Sequence, residues 1–171
     1  QLANGFHYTV GFNLSDYQSE VTKFDNESKE LGNWYVGQKQ GEIWGYETYG
    51  LFQSEQEIAG AANQDKVSGG IKLMPGDIRF VDRNNDGVID WGDNTVDNPG
   101  DKKIIGNSTP RYHYGINLGA DWKGFDLGIF FQGVGKRDLY LPGTSFRSHY
   151  GSEWQVPSAY NNDYWTEENT G

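Results

Sequence analysis

An all-β fold is what the amino-acid sequence predicts, and three observations carry that expectation. Aromatic side chains are abundant, with 6 Trp, 11 Tyr and 9 Phe in 171 residues, beside 24 Gly and a single Met. Aromatic residues favour pleated surfaces, whereas Gly, Asn and Asp favour the turns between them. Apolar and polar residues alternate with period two in three stretches, beginning at Phe6, Tyr112 and Phe125, as half-buried strands require. Finally, mean hydropathy is −0.77 and no long apolar run is present, which excludes a transmembrane helix but not a membrane β-barrel, whose strands carry one apolar face each.

Charge narrows the function classes. With 14 basic against 24 acidic side chains, the formal net charge is −10 and the sequence pI is near 4.6. Proteins that grip phosphate backbones cluster Lys and Arg, so a nucleic-acid partner is not expected. Cysteine is absent, which removes disulfide frameworks, thiolate zinc sites and thiol nucleophiles together. High charge alone suggests disorder, but disordered chains lack the aromatic residues found here. The chain begins at Gln1 without Met or a signal-peptide pattern, and strand-like sequence follows within a few residues, so a piece of a longer or processed protein is expected.

Along the chain, Phe6, Tyr8, Val10, Phe12 and Leu14 fall on one face, and His7, Thr9, Gly11, Asn13 and Ser15 on the other. A soluble sandwich would bury the apolar face, and a membrane barrel would turn it to lipid. Alternation does not separate the two. Residues 16–33 are polar and acidic, a strand end and a loop. From Tyr35 to Ser54, four glycines stand among large aromatics, as in short bent strands. Gln53 to Gln64 is rich in helix formers and predicts one short surface helix. Residues 65–76 form a polar connection ending in the turn dipeptide Pro75-Gly76.

The clearest hairpin comes next. Tyr112, Tyr114, Ile116, Leu118, Ala120 and Trp122 alternate against His113, Gly115, Asn117, Gly119 and Asp121. After Lys123-Gly124, Phe125, Leu127, Ile129 and Phe131 alternate against Asp126, Gly128, Phe130 and Gln132. Runs of about ten residues suit a tilted strand crossing a bilayer. Trp122 and Phe125 flank the turn, where a barrel places an interfacial aromatic girdle and a sandwich would cap its core. After residue 135 the sequence is irregular, with Pro142 and Pro157, and predicts a long exposed loop.

One segment carries specific chemistry. Asp82-Arg83-Asn84-Asn85-Asp86-Gly87-Val88-Ile89-Asp90-Trp91-Gly92-Asp93 fits the twelve-position calcium loop. Asp82, Asn84 and Asp86 take ligand positions one, three and five. Gly87 supplies the sharp turn at six, Val88 a carbonyl at seven, Ile89 an anchor at eight, Asp90 a ligand at nine and Asp93 one at twelve. Asp93 is shorter than the usual Glu, and the flanks, from Asp77 to Val81 and from Asn94 to Gly100, read as strand and loop rather than paired helices. A structural rather than signalling calcium is expected. The competing reading is a solvated Asx-rich turn, against which the mutual repulsion of six aspartates between Asp82 and Asp101 favours a cation.

Nothing argues for catalysis. Glu42, Glu47, Asp77 and Glu153 are candidate acid–base carboxylates only because they sit among aromatics, and glycoside hydrolysis needs a defined pair across a cleft. His7, His113 and His149 lack metal-ligand spacing. No phosphate-cradling glycine loop or nucleophile elbow is present.

Several blocks in order resemble one family. They are Gly41-Glu42-Ile43-Trp44-Gly45-Tyr46 with Gly50-Leu51-Phe52-Gln53-Ser54 and Glu57-Ile58, then Pro75-Gly76-Asp77-Ile78-Arg79-Phe80 leading into Asp82 to Asp90. Ile105-Gly106-Asn107-Ser108-Thr109-Pro110, Tyr114-Gly115, Lys123 to Leu127 with Phe131-Gln132-Gly133, and Asp163-Tyr164-Trp165-Thr166-Glu167-Glu168-Asn169 follow. Together they are similar to the SusC/RagA-like TonB-dependent outer-membrane transporters, over nearly the whole chain. The resemblance implies part of a 22-stranded antiparallel transmembrane β-barrel with long extracellular loops. It also implies import of oligosaccharides or peptides with a SusD-like surface lipoprotein, driven through the TonB complex, in the outer membrane of a Gram-negative, Bacteroidetes-type bacterium. The expected division is strand and loop over 1–33, strands and extracellular loop over 34–76, a calcium-type loop over 77–101, a transmembrane hairpin over 110–134 and an extracellular loop over 135–171. The plug domain and TonB box are expected to precede Gln1, and closing strands to follow Gly171. Loop aromatics Trp154, Tyr160, Tyr164 and Trp165 are candidates for sugar stacking or lid contact, with loop packing as the plainer alternative. A secreted calcium-dependent all-β carbohydrate-binding module is the rival function.

Overall fold

The computed structural model describes residues 5–139 and 165–170. Its elements are, in chain order, β1 (His7–Ser15), β2 (Glu42–Tyr46), β3 (Thr48–Leu51), α1 (Glu55–Ala59), α2 (Asp65–Ser68), β4 (Ile78–Phe80), β5 (Lys102–Asn107), β6 (Arg111–Trp122) and β7 (Phe125–Lys136). The all-β expectation holds. The stretch from Gln53 to Gln64 yields one short helix, α1, as expected, and a second, α2, forms in the following residues that read as a polar connection. Ser54 caps α1 by accepting the Glu57 N–H at 3.2 Å, and the Glu57 carboxylate accepts the Gln53 N–H at 2.9 Å, a reciprocal arrangement that satisfies two orphan donors.

Three antiparallel strands form the main sheet, in the order β1-β6-β7. Its register lines up the predicted alternation across the strands. Tyr8 lies beside Ala120 and then Leu127, Val10 beside Leu118 and Ile129, and Phe12 beside Ile116 and Phe131. On the opposite face, Thr9 meets Gly119 and Gly128, while Asn13 meets Gly115 and Gln132. β6 and β7 turn through Lys123 and Gly124, at φ +50° and +87°. Two consecutive positive φ values are what a two-residue hairpin matching strand twist demands, and they favour Gly at the second position.

The apolar face is not covered by any second layer among the described residues. Val10 and Phe12 are each 66% exposed, and Leu127 59%. A sandwich core would bury these side chains; among the described residues they stand open.

β1 and β6 are sheet neighbours, yet residues 16–110 lie between them. This excursion holds the remaining elements in two small ribbons, β2-β5 and β3-β4, both antiparallel and both bulged. It has its own core. Phe52 and Ile89 are fully buried and Tyr35 nearly so, joined by the buried polar side chains of Gln64 and Asp101. Gln64 satisfies its amide on β4, donating to the Ile78 carbonyl at 3.0 Å and accepting the Phe80 N–H at 2.8 Å. At the base, Arg111 and Asp16 form a two-pronged ion pair.

Candidate functional site

The Asp82–Asp93 loop is held from three sides by backbone geometry. Gly87, at φ +83°, makes the reversal that a side chain at that position would strain. The Asp82 carboxylate accepts the Gly87 N–H at 2.8 Å and the Asp86 N–H at 3.3 Å. Asp86 in turn accepts the Val88 N–H and the Asn84 amide, both at 2.8 Å. Ile89 then enters the core, and its N–H donates to the Asn63 carbonyl at 2.7 Å while the Asn63 N–H donates to Gly87. The anchor role expected of Ile89 is therefore met by burial together with a short bridge to the segment after α1.

The later ligand positions are engaged elsewhere. Asp90 Oδ2 accepts Lys66 Nζ at 2.6 Å, and Asp90 Oδ1 accepts the Gly92 N–H at 2.8 Å. The Lys66 contact, followed by the Gly92 hydrogen bond, holds the Asp90 carboxyl below its ordinary range, and Asp90 holds the Lys66 ammonium above its own. Asp93 Oδ2 accepts the Asn98 amide at 2.8 Å. Among the described residues, no group of three or more His, Asp or Glu side chains converges in metal-holding geometry.

Asp101 is the residue that sequence reasoning missed. It is fully buried, and its carboxylate accepts the Arg83 N–H at 2.7 Å and the Asp90 N–H at 2.9 Å. It thereby staples both limbs of the loop from outside the twelve positions. No local motif marks it, since its partners lie 18 and 11 residues away. The repulsion among six aspartates is offset by the protein's own donors: Lys66 for Asp90, Lys29 at 3.7 Å for Asp97, and backbone or amide N–H groups for the others. An all-oxygen set of Asp82, Asn84, Asp86 and the Val88 carbonyl still suits a hard cation. Asp90 and Asp93 would join it only by exchanging their present partners.

The candidate carboxylates are occupied structurally. Glu42 accepts the Tyr35 hydroxyl at 2.6 Å and the Lys39 N–H at 3.0 Å. Burial, then the hydrogen bond to Glu42, pushes the Tyr35 phenol up to about 12. Glu47 pairs with Lys103 at 2.5 Å and Asp77 accepts the Met74 N–H. Neither faces a second carboxylate across a cleft in these contacts. His7 pairs with Asp121 at 3.0 Å, and His113 stacks on Tyr17 at 6.2 Å.

Of the loop aromatics, Trp165 packs as the plainer alternative has it. Its indole N–H donates to Gln53 Oε1 at 2.9 Å, and its ring lies so close over Gly76 that a Cβ there would sit 3.1 Å from it. Glu153, His149, Trp154, Tyr160 and Tyr164 lie outside the described residues.

The two faces of the main sheet complete the geometry. At the hairpin end, Trp122 and Phe125 are directly paired, and the Lys123 ammonium sits 4.6 Å over the Trp122 ring. The sheet thus combines exposed aliphatic rows and an aromatic turn on one face with a polar opposite face. No helix among the described residues is long and apolar enough to cross a membrane.

No protein-family model matches the chain. It is 27% identical over 184 aligned residues to TonB-dependent receptor P39 of Formosa agariphila, covering 90% of this chain and 17% of that protein. It is 33% identical over 96 residues to TonB-dependent receptor P3 of the same organism, covering 56% of this chain and 8% of that protein. The chain thus spans less than a fifth of the length of these relatives.

Proposed function

We propose that this chain, a relative of the TonB-dependent receptors over nine-tenths of its length, is a wall segment and extracellular loop of an outer-membrane importer. TonB-dependent receptors are outer-membrane proteins of Gram-negative bacteria, and the matches support outer-membrane import in general terms. The finer reading is a SusC-like barrel of 22 strands in a Bacteroidetes-type bacterium. In it, an oligosaccharide or peptide enters under a SusD-like lipoprotein, and energy arrives from the TonB complex. The role is transport, not catalysis.

The observation that carries the reading is the uncovered apolar face of β1-β6-β7. Twelve-residue strands such as β6 extend about 40 Å, enough to cross a hydrocarbon core of about 30 Å at a tilt. Rows of Val10, Leu118 and Ile129 or Phe12, Ile116 and Phe131 would meet acyl chains, and Trp122 and Phe125 the interface. The short Lys123-Gly124 turn then lies on the periplasmic side. The excursion over residues 16–110, with its own core, lies on the extracellular side. A secreted carbohydrate-binding module is disfavoured, because such an apolar face does not stay in water.

Calcium belongs to the same proposal as a structural ion in the excursion. Asp82, Asn84, Asp86 and the Val88 carbonyl would hold it first, with Asp90 and Asp93 released from Lys66 and Asn98 to complete the shell. Bound there, the ion would neutralise the carboxylates and stiffen the loop. Calcium is then expected to raise the unfolding temperature of the wild-type protein, and Asp82→Asn with Asp86→Asn to abolish that rise. An unfolding temperature indifferent to calcium and to chelator would remove calcium from the reading.

Fractionating the native source tests transport itself. Recovery from detergent-extracted outer membrane, in a chain that migrates differently after heating and co-purifies with a lipoprotein, is the expected result. Recovery as a soluble chain of this length would overturn it.

A further inference from the structure

One exposed amide side chain joins two lengths of chain that are far apart in sequence. Gln53 Oε1 accepts the Trp165 indole N–H at 2.9 Å, and Gln53 Nε2 donates to the Thr170 carbonyl at 3.3 Å, across 112 and 117 residues. The same Nε2 donates to the Leu51 carbonyl at 2.9 Å, which holds the amide in place from its own side. Both ends of the side-chain amide are therefore engaged, with the acceptor and a donor directed at the distant segment.

The distant segment is shaped to deliver two groups to one point. The Thr166 N–H donates to the Asn169 carbonyl at 2.8 Å, and the Asn169 N–H returns to the Thr166 carbonyl at 3.1 Å and to the Thr166 hydroxyl at 3.0 Å. A reciprocal pair of this kind closes a tight turn of two residues, here Glu167 and Glu168. The residues on either side of the pair, Trp165 and Thr170, are thereby brought together, and both reach Gln53.

The receiving side is anchored in the core of the excursion. The Phe52 N–H donates to the Asp77 carbonyl at 2.9 Å, and the Phe52 carbonyl accepts the Gly76 N–H at 2.8 Å. Phe52 is fully buried, so Gln53 and the Pro75-Gly76 turn are both set by one core residue. The Trp165 ring lies on that turn, where a Cβ at Gly76 would sit 3.1, 3.2 and 3.3 Å from three of its atoms. Gly76 thus offers a seat that any larger residue would lift the ring away from.

We infer that residues 165–170 are a strap that fastens the chain following β7 onto the excursion between β1 and β6, with Gln53 as the catch and Gly76 as the seat. The two segments leave the sheet from different strands, and the strap makes them move as one body. Gln53 and Thr170 are exposed and the contacts are few, so the strap opens locally while the core beneath stays folded. The strap does not depend on the transporter reading. In that reading both segments stand on the extracellular side, and the strap sets how independently the two loops move.

Hydrogen-exchange mass spectrometry on the full-length receptor in detergent tests the strap through effects that cross from one segment to the other. Trp165→Ala is expected to speed exchange over residues 74–77 by about threefold or more, and Gln53→Ala to do the same over residues 166–169. Exchange at the β6–β7 turn should stay at the wild-type rate in both variants, which together with heat-dependent migration shows that the fold persists. Gln53 is exposed, so its variant keeps the test open if loss of the indole disturbs folding. A change confined to the mutated segment, with wild-type exchange over 74–77 in Trp165→Ala or over 166–169 in Gln53→Ala, would overturn the strap. Either result leaves the transporter reading untouched, since membrane fractionation decides that separately.

Discussion

Asp16 and Arg111, 95 residues apart in sequence, meet with Nε on Oδ1 and Nη2 on Oδ2, each at 2.5 Å. Ser15 and His113 are the last paired residues between β1 and β6 at this end. The pair therefore clasps the point where the excursion leaves the sheet and returns to it. Asp16 also accepts the Tyr112 N–H at 3.4 Å, and Tyr112 has φ +57°, a left-handed conformation uncommon for an aromatic residue. A two-pronged guanidinium–carboxylate contact fixes geometry as well as charge. Replacing Arg111 with Lys keeps the charge but loses the fork. Arg111→Lys and Asp16→Ala are both expected to speed amide exchange at the first residues of β6 while leaving the Trp122–Phe125 end unchanged. Hydrogen-exchange mass spectrometry of the two ends checks this.

Asp101 should matter more than any single calcium-loop carboxylate to the stability of the excursion without metal. Asp101→Ala strands the N–H groups of Arg83 and Asp90 in a buried site, at a cost of about 1–3 kcal/mol each where water cannot reach. Asp101→Asn keeps one acceptor and should fall between Ala and wild type. Asp86→Ala, at an exposed position, is expected to change stability far less. Urea unfolding followed by excursion tryptophan fluorescence orders these variants.

The excursion core and the sheet face should respond unequally to truncation. Phe52→Ala removes a fully buried ring, with an expected loss of about 3–5 kcal/mol. Phe131→Ala removes a ring that is 53% exposed, and in detergent it should cost much less. The comparison is read from unfolding midpoints measured in the same micelles.

Lys66 and Asp90 set two pH limits on the loop. The Asp90 carboxyl is lowered from 3.8, so its contribution is present above that value and lost as pH falls through the lowered one. The Lys66 ammonium is raised from 10.5, so its contribution is present below that value and lost as pH rises through the raised one. Between about pH 5 and 10 the pair should be pH-independent. Lys66→Met is expected to flatten both limits in a stability–pH profile of the excursion. Tyr35, raised to about 12 mainly by burial, should be among the last phenols to ionise in an alkaline absorbance titration, and Glu42→Gln should bring it down.

The sheet was legible in the sequence because each strand carries its own evidence. Tyr8, Val10 and Phe12 alternate with small polar neighbours, and Lys123-Gly124 marks its turn chemically. The register also follows, since one slip would move every apolar side chain to the other face. The excursion was legible only in pieces. That β1 neighbours β6 across the residues between them, with Asp16 and Arg111 meeting at the junction, is something no local pattern signals. The acidic loop shows a similar split: Asp82, Asn84 and Asp86 hydrogen-bond within the loop around Gly87, whereas Asp90 and Asp93 are drawn to Lys66 and Asn98. Those partners come from tertiary folding, which local spacing does not encode.

The claim that one face of this sheet meets lipid and the other meets water has a direct test, because the chain contains no Cys. Single cysteines at Val10, Leu118 and Ile129, and at Thr9, Asn117 and Gln132, can be introduced one at a time into the full-length protein with any other cysteines removed. Each is treated in outer-membrane vesicles with a water-soluble, membrane-impermeant maleimide. The account predicts that the first three stay unlabelled until detergent is added and that the second three react from the aqueous side. Equal labelling of both sets in the absence of detergent would contradict it.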